Sequence, residues 1–357
     1  MIVAVDARHL AAGRGVAHHT RGMLGALAAG FPGDAWRAFV PGTAPLAAPA
    51  PGVEVVRHRL PSRALFGAAA VAGRPRVDVL AGGGADVVWL PAPAPVAVSP
   101  GVPYVLTLHD LTWIERPGDF TRYERAWHAL GRLERQARRA AAVVCVSEAT
   151  RAAALRLWPR LDPARVRVVH PGVEDVADAA GAAPPPGLPE RFVLHVGALE
   201  PRKDPLLLAD AFADARARGL DADLVFAGEG RMADELRGRD GVHVLGRVGA
   251  TSALYERALA LAMPTRLEGF GLPPLEAALH GTPSVVSDLP VFAETLGDAA
   301  LRAPVGDAHA WAEALLTVCR VEALRREIAE RAAARARAFT WERAVAGLHA
   351  ILAEAAA

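Results

Sequence analysis

Residues 258–281 read ALALAMPTRLEGFGLPPLEAALHG: an apolar run, a glycine-rich loop and a segment with helix signals at both ends. ALALAMPT (258–265) is an apolar run of the kind that forms a strand buried on both faces of a parallel sheet. Pro273 and Pro274 stand where a helix has its first positions, Gly281 where a left-handed C-cap is wanted, and Pro283 follows. Glu276 is thereby expected in the first helical turn, facing a loop that carries Glu268, Gly269 and Gly271. A strand, a glycine loop and a helix in this order predict an α/β fold.

The rest of the chain repeats the unit. IVAVD (2–6), VVWL (87–90), YVLTLHD (104–110), AVVCVS (142–147) and VRVVH (166–170) alternate with helical patterns. The rhythm restarts with FVLHVG (192–197), LVFAG (224–228), VHVLG (242–246) and SVVS (284–287). Between the halves, DVADAAGAAPPPGLPERF (175–192) has the alanine, glycine and triple proline of a linker. The expected organisation is an N-terminal Rossmann-like lobe over 1–178, a linker over 179–190 and a second Rossmann-like lobe over 191–339. A terminal helix over 340–357, N-capped by Thr340, rejoins the first lobe. A length of 357 residues suits two domains, and two lobes imply parallel sheets facing a central cleft.

Forty Lys and Arg stand against 39 Asp and Glu, a formal charge of +1, so no global field draws the chain to nucleic acid. Cys145 and Cys319 each sit in an apolar run, which argues against a disulfide framework and fits a reducing cytoplasm. MIVAVDARHL lacks the layout of a signal peptide, and no uncharged apolar stretch reaches the roughly 18 residues of a membrane span. No His, Cys, Asp or Glu cluster has metal-ligand spacing.

The glycines at 269 and 271 let a backbone bend sharply and present amides at a helix start, which suits an anion such as a diphosphate. Carboxylates beside such a site suit hydroxyls, so Glu268 and Glu276 read as acceptors for a sugar and a ribose. The plain alternative is a dipole-capping Glu276 and a solvated Glu268. PRKDP (201–205) is either an exposed basic turn or a grip for that diphosphate. Gly13 and Gly15 superficially match a dinucleotide fingerprint, but its third glycine is missing and His18 stands there.

RLEGFGLPPLEAALHGTPSVVSDLP (266–290) closely resembles the E-x7-E segment of the retaining glycosyltransferases of family 4, whose members have the two-lobed GT-B fold. LHVGALEPRKDP (194–205) resembles their phosphate-binding segment, DARHLAAGRGVAHHTRGML (6–24) their first glycine loop and LTLHDLTW (106–113) their His-Asp segment. VVCVSEATR, VVHPGVE and GDAALRAPVGD follow in the expected order.

The resemblance implies that Arg202 and Lys203 grip a diphosphate and that Glu276 takes ribose hydroxyls. Glu268, with the backbone of Gly269, Phe270, Gly271 and Leu272, would hold the donor sugar. Gly15 and Gly197 would be close-approach backbone positions, and His109, with Asp110 fixing the strand end, would reach the sugar. Glu268, His109, Arg202 and Lys203 are thus the expected catalytic groups.

Two departures stand out: His18-His19 replaces the usual Arg-Tyr pair, and Ala198 follows Gly197 where many relatives have arginine, a charge that Arg202 supplies in the EPRK subgroup. The implied enzyme is a metal-independent, cofactor-free hexosyltransferase in the cytoplasm. It would move a hexose or deoxyhexose, GDP-mannose leading among donors, onto a saccharide or lipid-linked acceptor of polysaccharide assembly. Arg132, Arg135 and Arg139, expected on one face of a helix over 127–142, read as a solvated face or as a contact with an anionic membrane.

Two alternatives keep the fold: a catalytically silent nucleotide-sugar-binding partner of another transferase, and a phosphorylase or epimerase. Against the latter, Lys203 sits in the diphosphate segment rather than as a pyridoxal lysine.

Overall fold

The continuous apolar runs become strands, and among the described residues the strands of each sheet are paired in parallel. Among the described residues, β1 (Ile2–Asp6), β2 (Ala35–Pro41), β3 (Val53–His58), β4 (Val87–Leu90), β5 (Tyr104–Leu108), β6 (Ala142–Cys145) and β7 (Val166–Val168) form one sheet. A second sheet holds β8 (Phe192–Val196), β9 (Asp223–Ala227), β10 (Val242–Gly246), β11 (Ala260–Met263), β12 (Ser284–Ser287) and β13 (Leu301–Ala303). The computed structural model describes residues 1–11, 15–42, 48–59, 61–173, 185–249 and 251–357. Gly13 and residues 179–184 of the expected linker lie outside these.

The chain divides into two compact units, Met1–Gly172 with Thr340–Ala357, and Val173–Phe339. In the first, successive residues of a strand serve opposite cores. Val3, Val5, Val87, Trp89 and Val105 pack with Met23, Leu24 and Leu27 of the helix Gly15–Gly30. Ala4, Val88, Leu90, Leu106 and Leu108 pack on the other face with Leu133, Ala137 and Trp158. Covering both faces is why these strands read as unbroken apolar runs. In the second unit, Val193, Leu224, Phe226 and Val285 share a core with Leu208, Phe212, Trp311 and Leu315 from flanking helices.

The terminal helix Trp341–Ala356 starts at Thr340, whose side chain accepts from the Arg343 amide at 3.3 Å. Its Trp341, Val345, Leu348 and Leu352 are buried in the first unit's core beside Met23 and Leu24. A Cβ added at Gly22 or Gly172 would overlap the Trp341 ring, so this helix docks only because both positions are glycine.

The structure corrects the basic helix expected over 127–142. It is two pieces, Arg122–Gly131 and Leu133–Arg139, and Ala142 already belongs to β6. Gly131 ends the first piece, and Arg132 turns left-handed at φ 45° with its amide on the Ala129 carbonyl. Arg132 is therefore not on one helix face with Arg135 and Arg139. Among the described residues no helix is long and apolar enough to cross a membrane.

Candidate active site

The second sheet runs in the order β10-β9-β8-β11-β12-β13. The chain builds outward from β8 through β9 to β10, then returns to place β11 on the other side of β8. Where strand order reverses, the loops leaving neighbouring carboxyl ends diverge and open a crevice, the usual ligand position in an open parallel sheet. Arg202 and Lys203 follow β8; Glu268, Gly269, Phe270, Gly271, Leu272 and Glu276 follow β11. With Gly197, which also follows β8, the structure brings the nine residues expected from these two segments to one reversal point.

Side chains outside the expected set tie the two loops together. Arg202 lies in a 3-10 turn, Pro201–Lys203, and its carbonyl accepts from the Arg266 amide at 2.9 Å and the Thr265 hydroxyl at 3.1 Å. Asp204 follows at φ 51°, in the left-handed region that aspartate tolerates better than most side chains. Its buried carboxylate accepts from Arg266 Nε at 2.6 Å and Nη2 at 2.9 Å, a bidentate charge-assisted pair. The sequence signal for this clamp was Asp204-Pro205, a helix-start pair; nothing in the spacing ties it to Arg266.

Lys203, 8% exposed, forms an ion pair with Glu268 Oε2, while Glu268 Oε1 accepts from the Gly269 amide at 3.2 Å. Arg202 is half-buried, and its guanidinium has no hydrogen-bond or ion-pair partner among the described residues. One cation is therefore pre-paired and the other uncommitted.

Gly271 is the N-cap of the helix Leu272–Leu279 at φ 84°, and a Cβ there would lie 2.6 Å from Phe292 Cε1. Gly271→Ala is expected to cost about 2–4 kcal/mol, combining left-handed strain with overpacking, and to displace the loop; chemical denaturation checks it. A loss under about 0.5 kcal/mol would contradict this reading.

Because Leu272 opens this helix, Glu276 is its fifth residue and lies in the second turn, not the first as its sequence suggested. Pro273 and Pro274 carry no N–H, so the helix start offers an anion chiefly the amides of Gly271 and Leu272, and the side-chain cations carry more of that work. Phe270 is 5% exposed with its ring edge-on to Phe339 at 5.4 Å, so a ligand meets its backbone rather than its ring. Glu276 accepts from the Tyr255 hydroxyl at 2.8 Å.

Gly197 follows β8 at φ 149°, and its amide bonds Ala227 O at 3.1 Å. A Cβ on Gly228 would overlap the Gly197 carbonyl and one on Gly230 the Leu199 backbone, so the β8 and β9 loops touch through glycine. Sequence reasoning passed over this pair, although two glycines one residue apart directly after a strand are a signal for close backbone approach.

In the first unit the order β3-β2-β1-β4-β5-β6-β7 reverses between β1 and β4. Gly15 opens the helix Gly15–Gly30, exposed, with nothing within 4 Å of an added Cβ, so the fold itself does not require glycine there. His109 follows β5. Its Nε2 donates to the Pro91 carbonyl at 2.8 Å, and the His19 ring stands edge-on to it at 4.8 Å. Burial holds His109 below the usual histidine range, opposed by the Pro91 bond and by Asp110, whose own carboxylate caps the Thr112 amide at 2.9 Å. His19 is 3% exposed, and neither ring nitrogen has a hydrogen-bond partner among the described residues.

Burial also pushes His9 down to about 3, helped by Arg8 and His109, and His195 to about 4, where the Ala262 bond opposes it and Lys203 adds to it. These depressed values favour the neutral native state. Stability is complete above the unfolded histidine value near 6.5 and is lost as pH falls from there towards 4, by about 2 kcal/mol per such histidine at pH 5. A melting temperature flat above pH 7 and falling steadily below 6.5 is the expected profile; one flat down to pH 4.5 would contradict it.

A groove of about 530 Å³ lies instead at the amino ends of the second sheet's strands, lined by Arg216, Arg239 and Asp240 among others. Its arginines are already paired, Arg216 with Asp223 at 2.9 Å and Arg239 with Asp210 at 2.5 Å. Among the described residues no group of three or more His, Cys, Asp or Glu side chains is placed to hold a metal ion.

Comparison with known proteins gives two matches that together span both units. Residues 13–176 match the family model Glycosyltransferase Family 4, and residues 182–335 match Glycosyl transferases group 1. A D-inositol 3-phosphate glycosyltransferase of Actinosynnema mirum is 36% identical over 214 residues, 52% of this chain and 51% of that protein. A phosphatidyl-myo-inositol mannosyltransferase of Mycolicibacterium smegmatis is 35% identical over 184 residues, 48% of this chain and 47% of that protein. The matched region thus spans about half the length of these relatives. Among solved structures, Anabaena HepE in complex with UDP and glucose superimposes with a TM-score of 0.68 at 18% identity, covering 99% of each chain, a likeness of fold.

Proposed function

This chain belongs to glycosyltransferase family 4, and we propose on that premise that it moves a hexose from a nucleoside diphosphate to a saccharide or lipid-linked acceptor with retention of anomeric configuration. The observation that carries the reading is the reversal point of the second sheet, where Arg202 and Lys203 line one lip and the loop from Glu268 to Gly271 the other. The uncommitted Arg202 guanidinium and the Lys203 ammonium suit two phosphates. The Glu268 carboxylate, already oriented by Lys203 and Gly269, suits sugar hydroxyls, and Glu276 the ribose.

In this account the residues supply position and charge rather than a nucleophile. As the sugar–phosphate bond breaks, negative charge gathers on the diphosphate, and fixed cations stabilise it most at that moment. The departing phosphate oxygen takes the acceptor's proton on the face it leaves, so the two-carboxylate logic of glycosidases does not apply. Arg202 and Lys203 then do the work of a divalent ion, and chelation with EDTA is expected to leave turnover unchanged; loss restored by a divalent cation would contradict this. The mannosyltransferase among the relatives favours mannose, while the inositol glycosyltransferase widens the acceptor set to phosphorylated polyols.

The test is to incubate the chain with GDP-mannose, dTDP-rhamnose, UDP-glucose and ADP-glucose and a mixture of acceptors. Nucleoside diphosphate release and the product's anomeric configuration by NMR are the readouts. Release from one donor family with a retained α linkage is expected. Inversion, or no release from any donor, would overturn the reading.

A further inference from the structure

We infer that Tyr255 is a positioning residue that holds the Glu276 carboxylate towards the ribose hydroxyls of the donor, an inference that rests on the donor-site reading above. Tyr255 sits in the short helix Ser252–Arg257 with its side chain wholly buried. Its hydroxyl donates to Glu276 Oε2 at 2.8 Å. A buried phenol must find an acceptor, and here the acceptor is a half-buried carboxylate on a different helix.

The tyrosine is itself fixed from several sides. Its ring stacks on His280, centroids 5.7 Å apart and planes 23° from parallel. Its amide donates to the Thr251 carbonyl at 2.9 Å, and its carbonyl accepts from the Thr282 hydroxyl. Glu276 alone would rotate about three side-chain torsions, a freedom lost on binding a ligand. The phenol's hydrogen bond imposes that order beforehand, and a carboxylate with about four lone-pair sites can accept it and hydroxyls of a diol as well.

Placing Glu276 in the second helical turn strengthens the case. From there its carboxylate meets the neighbouring helix Ser252–Arg257, whose Tyr255 hydroxyl donates to it. Tyr255 does not touch the donor in this account and acts through Glu276.

The experiment titrates wild type and Tyr255→Phe calorimetrically with the nucleoside diphosphate of the preferred base and with its 2′,3′-dideoxy analogue. Wild type is expected to prefer the ribonucleotide. Tyr255→Phe should weaken ribonucleotide binding about tenfold, as loss of one hydrogen bond to a charged group does, and leave the dideoxy analogue within about twofold. Donor KM should rise by a similar factor with kcat within about threefold.

Equal weakening of both ligands, or of neither, overturns the inference, because a tyrosine that merely fills the core has no preference for the diol. A wild type that fails to distinguish the ligands overturns the ribose assignment, and the inference with it. Should Tyr255→Phe fold poorly, Glu276→Gln, which keeps the side chain's shape but replaces the carboxylate that the phenol holds, is titrated with the same two ligands. It is expected to weaken ribonucleotide binding and leave the dideoxy analogue within about twofold, and equal weakening of both ligands, or of neither, overturns the ribose assignment and the inference with it.

Discussion

Lys203→Ala is expected to lower kcat by about 10²–10³-fold, the range found when one preorganised charge-stabilising donor is removed. The residue is 8% exposed at the carboxyl end of β8, so its ammonium acts in a setting with little water to screen it. The effect should fall on kcat more than on KM, because the diphosphate carries more charge as it leaves than while it is bonded to the sugar. Lys203→Arg is expected to restore activity only in part, since a planar, delocalised guanidinium does not reproduce the compact point charge of the ammonium beside Glu268. Steady-state kinetics on the preferred donor settles the matter, and a kcat within about threefold of wild type would remove Lys203 from the mechanism.

The second large effect is on folding. Glu268→Ala is expected to destabilise the protein by about 3 kcal/mol, the lower end of the cost of leaving a buried charge unpaired, because Lys203 and Glu268 are 10% and 15% exposed at the side chain. Activity should be lost as well, so the single variant does not separate the two roles. The pair Lys203→Met with Glu268→Leu does. With both charges gone the unpaired-charge penalty disappears, and most of the stability should return while activity stays absent. Urea denaturation of the wild type, both single variants and the double variant measures this. A double variant as unstable as the sum of the singles would mean the ion pair does not hold the loops together.

The central strands of both sheets were legible because burial on both faces imposes an unbroken apolar run, as in IVAVD and FVLHVG. β2, β3 and β13 were not. β3 and β13 are edge strands, and VEVVRH is broken by the exposed Glu54 and Arg57, so the continuous-run template passes over it. The break at Arg132 escaped because a non-glycine residue in the left-handed region leaves no compositional mark. Residues from segments far apart in the chain were assigned to one donor site through the E-x7-E resemblance, and the fold brings the second-unit segments together at a strand-order reversal. What holds them was invisible, because the Arg266–Asp204 clamp and the Tyr255–Glu276 bond join positions that only the tertiary fold makes neighbours. The same is true of His19 against His109, which in sequence is only half of a His-His departure from the family pattern.

The central claim is that the reversal point of the second sheet binds a nucleoside diphosphate through Arg202 and Lys203. Thermal unfolding with GDP, UDP, dTDP and ADP and their sugar conjugates, with Lys203→Ala alongside, tests it most directly. A ligand at about 100 times its dissociation constant adds about 2.7 kcal/mol, a shift of several degrees for a protein of this size. The account predicts that one base family raises the melting temperature of wild type and shifts Lys203→Ala by less. No shift with any nucleotide, or the same shift in both proteins, would contradict it.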